Sequence, residues 1–222
     1  MKPNKKAVVF DLDGTVLDTI ADIAAAVNRA LKAFGFAEKS VSQVQSYLGN
    51  GSLMLIKRAI ENFDDEELCL SVRSRFREEY EKGMCNLTKP YDGMVELMAE
   101  LSRKGVKTAV VTNKDHHSAV PMINHYFGET VHITKGVVAD GERKPNPQNT
   151  LSVLEELGVT VDESVFVGDG MADLMVSKAC LMDFIPVSYG YTSAEKLKNE
   201  SGREAVSTVE QLRNELLKYI GE

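Results

Sequence analysis

The sequence predicts an α/β fold: a doubly wound parallel sheet with an all-helical domain inserted after its first strand. Three observations carry this reading. From residue 94 onward, short apolar runs of strand length alternate with helical patterns, as in a parallel sheet covered by helices on both faces. One apolar run, Ala7–Phe10, stands far ahead of the others and needs that sheet for a partner. Between them, residues 18–83 keep helical spacing and show no strand pattern.

Taken in order, Ala7-Val8-Val9-Phe10 is an apolar, valine-bearing run that stops at Asp11 and Gly14, a buried strand entering a turn. Ile20, Ile23, Ala24, Val27, Leu31 and Phe34 recur at helical spacing, so an amphipathic helix follows Asp18 and ends near Gly35. Residues 41–48, 53–60 and 65–80 read as helices, with Gly49-Asn50-Gly51 as a break between the first two. The later helices fall at 94–101, 117–127, 150–157, 172–180 and 209–219, the first and third closed by Gly105 and Gly158. The later strands fall at 108–111, 131–138, 165–167 and 184–187. The predicted division is a Rossmann-like core of residues 1–17 plus 86–222 and a helical cap of residues 18–85.

The chain has 222 residues, 43 % hydrophobic and 27 % charged, ordinary material for a globular domain with an insert. A net charge of -7 argues against a nucleic-acid binder, which needs a basic face. It leaves room for a small anionic substrate, because a pocket's local field can oppose the net charge. Three cysteines, Cys69, Cys85 and Cys180, are an odd number without CxxC spacing, which fits reduced thiols better than disulfides or zinc. The basic start is followed by only four apolar residues before Asp11, too few for a signal peptide. No later stretch approaches the roughly 20 apolar residues of a membrane span. The expected location is the cytoplasm, with no membrane and no nucleic-acid partner.

Ligands of open α/β sheets sit outside the carboxyl ends of the strands. At those ends stand Asp11-Leu12-Asp13-Gly14-Thr15, then Thr112-Asn113, then Gly168-Asp169-Gly170 with Asp173, and Lys144 lies in a loop between. Four acids, the Thr112 hydroxyl, the Asn113 amide and Lys144 are expected on a single rim. So many carboxylates in one place repel each other unless a cation joins them. An all-oxygen donor set that includes Asp11, Asp13 and Asp169 suits a hard cation, and Mg²⁺ in particular. Thr112, Asn113 and Lys144 are placed to hold a phosphoryl group, whose transfer depends on positioning and charge neutralisation.

These pieces resemble the four motifs of the haloacid dehalogenase-like phosphatase superfamily, in order and across essentially the whole chain. Asp11-Leu12-Asp13-Gly14-Thr15 resembles the first, Thr112 the second, Lys144 the third, and Gly168-Asp169 with Asp173 the fourth. Asp18-Thr19-Ile20-Ala21-Asp22, Leu48-Gly49-Asn50-Gly51, Pro90-Tyr91-Asp92-Gly93 and Val111-Thr112-Asn113-Lys114 are similar to its phosphoglycolate phosphatase-like branch. The resemblance implies a Mg²⁺-dependent phosphatase that acts on a small phosphorylated metabolite through a phospho-aspartate. Asp11 would be the nucleophile and Asp13 the general acid and base. Asp11, the Asp13 carbonyl and Asp169 would hold the metal. Thr112 and Lys144 would bind phosphoryl oxygens, and Asp173 would orient Lys144 or a metal-bound water. Asn50 and Arg58 are the candidate leaving-group contacts in the helical insert. The acid at position 13 favours phosphate esters over carbon–halogen bonds, since halide leaves without a proton. The chain departs from the pattern at Cys180-Leu181, where an Ala-Gly pair is usual, and at Asp115, where proline is common.

Alone, Asp11-Leu12-Asp13-Gly14-Thr15 and Gly168-Asp169-Gly170 are common polar turns, Thr112-Asn113 is a strand end and Lys144 a solvated loop lysine; the ordered set at successive strand ends is specific. His116-His117 face apart on a helix, and Asp64-Asp65-Glu66-Glu67 reads as a helix start favoured by the dipole. Rival functions are a sugar-phosphate mutase, a phosphonate or pyrophosphate hydrolase of the same superfamily, and a non-enzymatic phospho-acceptor module, which would need neither the insert nor Asp13.

Overall fold

The computed structural model describes residues 4–139 and 141–221; the first three residues of the basic N-terminal start lie outside them. The chain forms two compact units, Met1–Leu17 with Pro90–Glu222, and Asp18–Lys89.

The first unit is built on a five-stranded sheet in the order β5-β4-β1-β6-β7, comprising β1 (Ala7–Phe10), β4 (Lys107–Asp115), β5 (Ile133–Val137), β6 (Ser164–Gly168) and β7 (Asp183–Pro186). Every pairing is parallel, with Ala7 opposite both Lys107 and Ser164. β1 is therefore the central strand, and all four of its residues are fully buried, which explains its unbroken apolar run. Alternate residues face opposite sides. On one side Ala7, Val9, Ala109, Val111, Phe166 and Phe184 pack with Val153, Leu154 and Leu174 from α7 (Gln148–Leu157) and α8 (Met171–Ala179). Further helices of this unit include α5 (Met94–Arg103) and α6 (His116–Phe127), which both contact β4, and α10 (Val209–Ile220), which packs on α5. The chain runs from β1 to β4 and β5 on one side, then returns to β6 and β7 on the other. The switch point therefore lies beside the carboxyl end of β1, where such folds bind ligands.

β4 runs past the expected 108–111 to Asp115. Its pairing with β5 shifts register there: Val111 stands opposite Lys135, while Asp115 stands opposite Val137. The extra residues on β4 form a bulge, a device that re-aims side chains. Gly136 makes the close approach possible, because a β-carbon there would stand 2.6 Å from the Lys114 carbonyl oxygen. The helix α9 (Ala194–Ser201) was not anticipated. Leu197 is its one buried residue, so no apolar stripe announces it.

The second unit contains α1 (Ile20–Ala33), α2 (Val41–Ser46), α3 (Gly51–Ile60) and α4 (Glu66–Glu81). α1 contacts the other three and buries Ile23, Ala24, Ala26, Val27, Ala30 and Leu31. Ser40 and Gln43 form a capping box on α2, and Asp65 caps α4 by accepting from the Leu68 amide. The buried Asp22 carboxylate accepts from the amides of Leu87 and Thr88, which ties the returning chain to α1. The two-residue strands β2 (Leu17–Asp18) and β3 (Lys89–Pro90) pair with each other. Among the described residues no helix is long and apolar enough to cross a membrane.

Candidate active site

Asp11 follows directly on β1, and its amide donates to the Val167 carbonyl at 2.9 Å, continuing the ladder to β6. The chain then turns tightly: the Leu12 carbonyl accepts from the amides of Thr15, Val16 and Leu17. Gly14 sits at φ +85°, and a β-carbon there would lie 2.5 Å from Asp169 Oδ2. Only glycine allows both the conformation and the approach. The Thr15 hydroxyl donates to Asp169 Oδ1 and accepts from the Asp169 amide, both at 3.1 Å. The Tyr191 amide donates to Asp169 Oδ2 at 2.7 Å. The acid that ends β6 is thereby fixed to the turn that ends β1.

Lys144 occupies the centre. Its ammonium donates to Asp11 Oδ1 and Asp173 Oδ1, each at 2.6 Å, and to the Val111 carbonyl at 2.8 Å. Asp173, in the first turn of α8, also accepts from the Gly170 amide at 2.9 Å. Asn113 holds the Lys144 main chain at both ends, accepting from its amide at 2.7 Å and donating to its carbonyl at 3.1 Å. The side chain expected on a phosphoryl group thus sets the position of the lysine. Thr112 is buried, and its hydroxyl accepts from the Lys114 amide. Asp13 meets Lys114, whose Nζ lies 2.8 and 3.1 Å from its two carboxylate oxygens.

Electrostatics follow from this crowding. Carboxylate oxygens of Asp11, Asp169 and Asp173 all lie within 4.8 Å of one another, with one ammonium among them. Burial, and then the charge of Asp173, pushes the Asp11 carboxyl up to about 7 against the pull of Lys144. Burial also raises Asp169 well above the usual range, reinforced by Asp11 and Asp173 and opposed by the Tyr191 amide and Thr15. For Lys144, burial works against the charge, but Asp11 and Asp173 outweigh it and hold the ammonium above its ordinary value. Three clustered carboxylates, two of them on one ammonium, leave an excess of negative charge that a divalent cation would neutralise, and an all-oxygen set suits a hard one. The residues fit a metal of that kind.

The structure thus brings Asp11 and Asp173 onto Lys144, with Asp169 within 4.8 Å of both carboxylates, Thr112 and Asn113 on the adjoining bulge and Asp13 directed to Lys114. The carboxylate cluster contains Asp173 and not the Asp13 side chain, whose expected metal contact is its main-chain carbonyl. Asn50 and Arg58 meet each other within the helical unit, where Arg58 donates to Asn50 Oδ1 at 2.8 Å and to the Tyr47 carbonyl at 2.7 Å. Sequence reasoning missed the bearing of Lys114 on Asp13. It also missed the loop after β7, where a β-carbon on Gly190 would stand 2.1 Å from the Gly14 carbonyl oxygen and 2.6 Å from Asp169 Cβ. The tyrosine- and glycine-rich run Ser188-Tyr189-Gly190-Tyr191 was the available signal.

A parallel sheet that presents clustered carboxylates and a buried lysine at its switch point defines a class: an α/β enzyme equipped to handle a phosphoryl group. The chain belongs to the haloacid dehalogenase-like hydrolase family, whose model matches residues 8–187. It is similar to a phosphoglycolate phosphatase of Pseudomonas putida, 32 % identical over 202 residues that cover 88 % of this chain and 74 % of that one. A phosphoglycolate phosphatase of Agrobacterium fabrum is 31 % identical, covering 90 % and 87 %. A solved structure from Lactobacillus delbrueckii subsp. bulgaricus, provisionally named a phosphoglycolate phosphatase, superposes with a TM-score of 0.90 at 28 % identity, covering 99 % and 100 %. These named relatives are phosphoric monoester hydrolases, and phosphatases of the family generally use a divalent metal.

Proposed function

We propose that the protein is a Mg²⁺-dependent phosphatase for a small phosphorylated hydroxy acid of the phosphoglycolate kind, working through a phospho-aspartate on Asp11. The observation that carries this reading is the Asp11–Lys144–Asp173 contact at the carboxyl end of β1. It fixes a carboxylate at the end of the central strand with one oxygen, Oδ1, on a buried ammonium. Oδ2 is then the attacking oxygen. It bonds to phosphorus as the bond from phosphorus to the leaving alcohol breaks, and Asp13 delivers its proton to that alcohol oxygen. Asp13 next takes a proton from water, whose oxygen attacks the aspartyl phosphate and releases inorganic phosphate and the Asp11 carboxylate. Splitting one hard displacement into two is the gain of covalent catalysis. Thr112 holds the phosphoryl oxygens, and the Lys144 ammonium, fixed by Asp11, Asp173 and the Val111 carbonyl and positioned through Asn113, offsets their charge from beside them. Bound by Asp11, Asp169 and the main-chain carbonyl of Asp13, a Mg²⁺ ion would supply charge neutralisation for the phosphoryl group and the carboxylates. The named relatives support the substrate class. Cys69, Cys85 and Cys180 are free thiols, which supports a reducing compartment, in our reading the cytoplasm.

The test is phosphate release from 2-phosphoglycolate and a panel of other small phosphate monoesters, with Mg²⁺ and with chelator. Wild type turns over in Mg²⁺ and stops in chelator, and Asp11→Asn is inactive in both. Equal turnover in chelator, or an active Asp11→Asn enzyme, would refute the mechanism.

A further inference from the structure

We propose that Lys114 selects the leaving group: its ammonium binds a carboxylate carried by the alcohol part of the substrate. The inference rests on the phosphatase reading above and names the residue behind its substrate class.

Distance is the first argument. Lys114 Nζ stands 2.8 and 3.1 Å from the Asp13 oxygens, and its side chain is 7 % exposed. A general acid works within about 2.6–3.2 Å of the oxygen it protonates. An ammonium bonded to that acid is therefore at most about two hydrogen-bond lengths, ~6 Å, from the leaving oxygen. In a phosphorylated 2-hydroxy acid the carboxyl carbon is two covalent bonds from the same oxygen, so the carboxylate falls within reach of the ammonium.

The rim's other cation is committed. Lys144 has three donors, and the structure gives them three acceptors, Asp11, Asp173 and the Val111 carbonyl. Asn113 is engaged on the Lys144 main chain. Of the three consecutive residues re-aimed by the β4 bulge, Lys114 is thus the one directed at the acid. Its backbone is held from two sides, by the Thr112 hydroxyl on its amide and by Gly136 against its carbonyl. Need is the remaining argument. A second substrate anion brought to a rim bearing Asp11, Asp13, Asp169 and Asp173 is repelled unless a cation stands beside it.

The alternative is that Lys114 only positions Asp13. Comparing 2-phosphoglycolate with ethyl phosphate, which has a methyl in place of the carboxylate, separates the two. Damage to Asp13 slows both substrates, so the ratio of their kcat/KM values reports the carboxylate alone. Wild type should prefer 2-phosphoglycolate. In Lys114→Met and Lys114→Gln that preference should fall about 10- to 100-fold, the scale of one charge-assisted hydrogen bond, chiefly through KM for 2-phosphoglycolate. Lys114→Arg, which keeps the charge, should retain it. Thermal unfolding checks each variant. Should the methionine variant not fold, the glutamine variant, which can still donate to Asp13, carries the comparison. An unchanged preference in the neutral variants, with equal losses on both substrates, would overturn the inference and leave the phosphatase reading standing. No preference in wild type would overturn the substrate class and the inference together.

Discussion

Replacing Asp11 by Asn should change how stability depends on pH in metal-free protein. Burial and the neighbouring Asp173 charge raise the Asp11 carboxyl from 3.8 to about 7. A raised folded-state value means that the native protein holds this proton more tightly than the unfolded chain. The resulting stabilisation is complete below the unfolded value and is lost as pH rises through about 7. At about 1.4 kcal/mol per pH unit, the whole effect is on the order of 4 kcal/mol, of which roughly 2–3 kcal/mol disappears between about pH 5 and 8. The side chain is 14 % exposed, so solvent screening is slight. For a domain of this size each kcal/mol moves Tm by about 2–4 °C. In chelator, wild type should therefore lose about 5–10 °C more than Asp11→Asn across that range. Groups remote from the site are common to both proteins and cancel in the difference, which therefore reports Asp11 together with the shifts it imposes on Asp169 and Lys144. Calorimetric unfolding in EDTA at several pH values measures it. Parallel curves for the two proteins would show that Asp11 is not held in a crowded, poorly solvated site, and would refute the electrostatic reasoning.

Asp13→Asn should slow turnover of an alkyl phosphate by about 10²–10⁴-fold, the usual contribution of acid–base help. It should slow p-nitrophenyl phosphate far less, because that leaving group needs no proton; equal losses would count against the acid role. Gly190→Ala introduces a β-carbon 2.1 Å from the Gly14 carbonyl oxygen and 2.6 Å from Asp169 Cβ. It should lower stability by about 1–3 kcal/mol and weaken Mg²⁺ binding measured by titration calorimetry, and unaltered affinity would show that this loop does not set Asp169.

The elements were legible because their signals are local. Ala7–Phe10 announces a buried strand by its composition, and the α1 residues Ile23, Val27 and Leu31 announce a helix by their spacing. The chemistry was legible for a related reason: acids, a threonine and a lysine follow strands in order, and in a parallel sheet strand ends share one edge. Where the local signal is thin, the reading failed. α9 buries Leu197 alone, and the continuation of β4 through Thr112-Asn113-Lys114 is too polar to look like strand.

By itself the sequence determined the α/β class, the helical insert and the acids that crowd the rim, since each of these follows from residue type and spacing along the chain. Only the tertiary structure decided which side chains meet. Lys144 finds Asp11 across 133 residues, and Lys114 finds Asp13 across 101. Those encounters depend on the strand order β4-β1-β6 and on a register shift opposite Gly136. Strand order and register are settled by packing among distant segments, so the partner of Asp13 is absent from any local pattern and appears once the sheet is assembled.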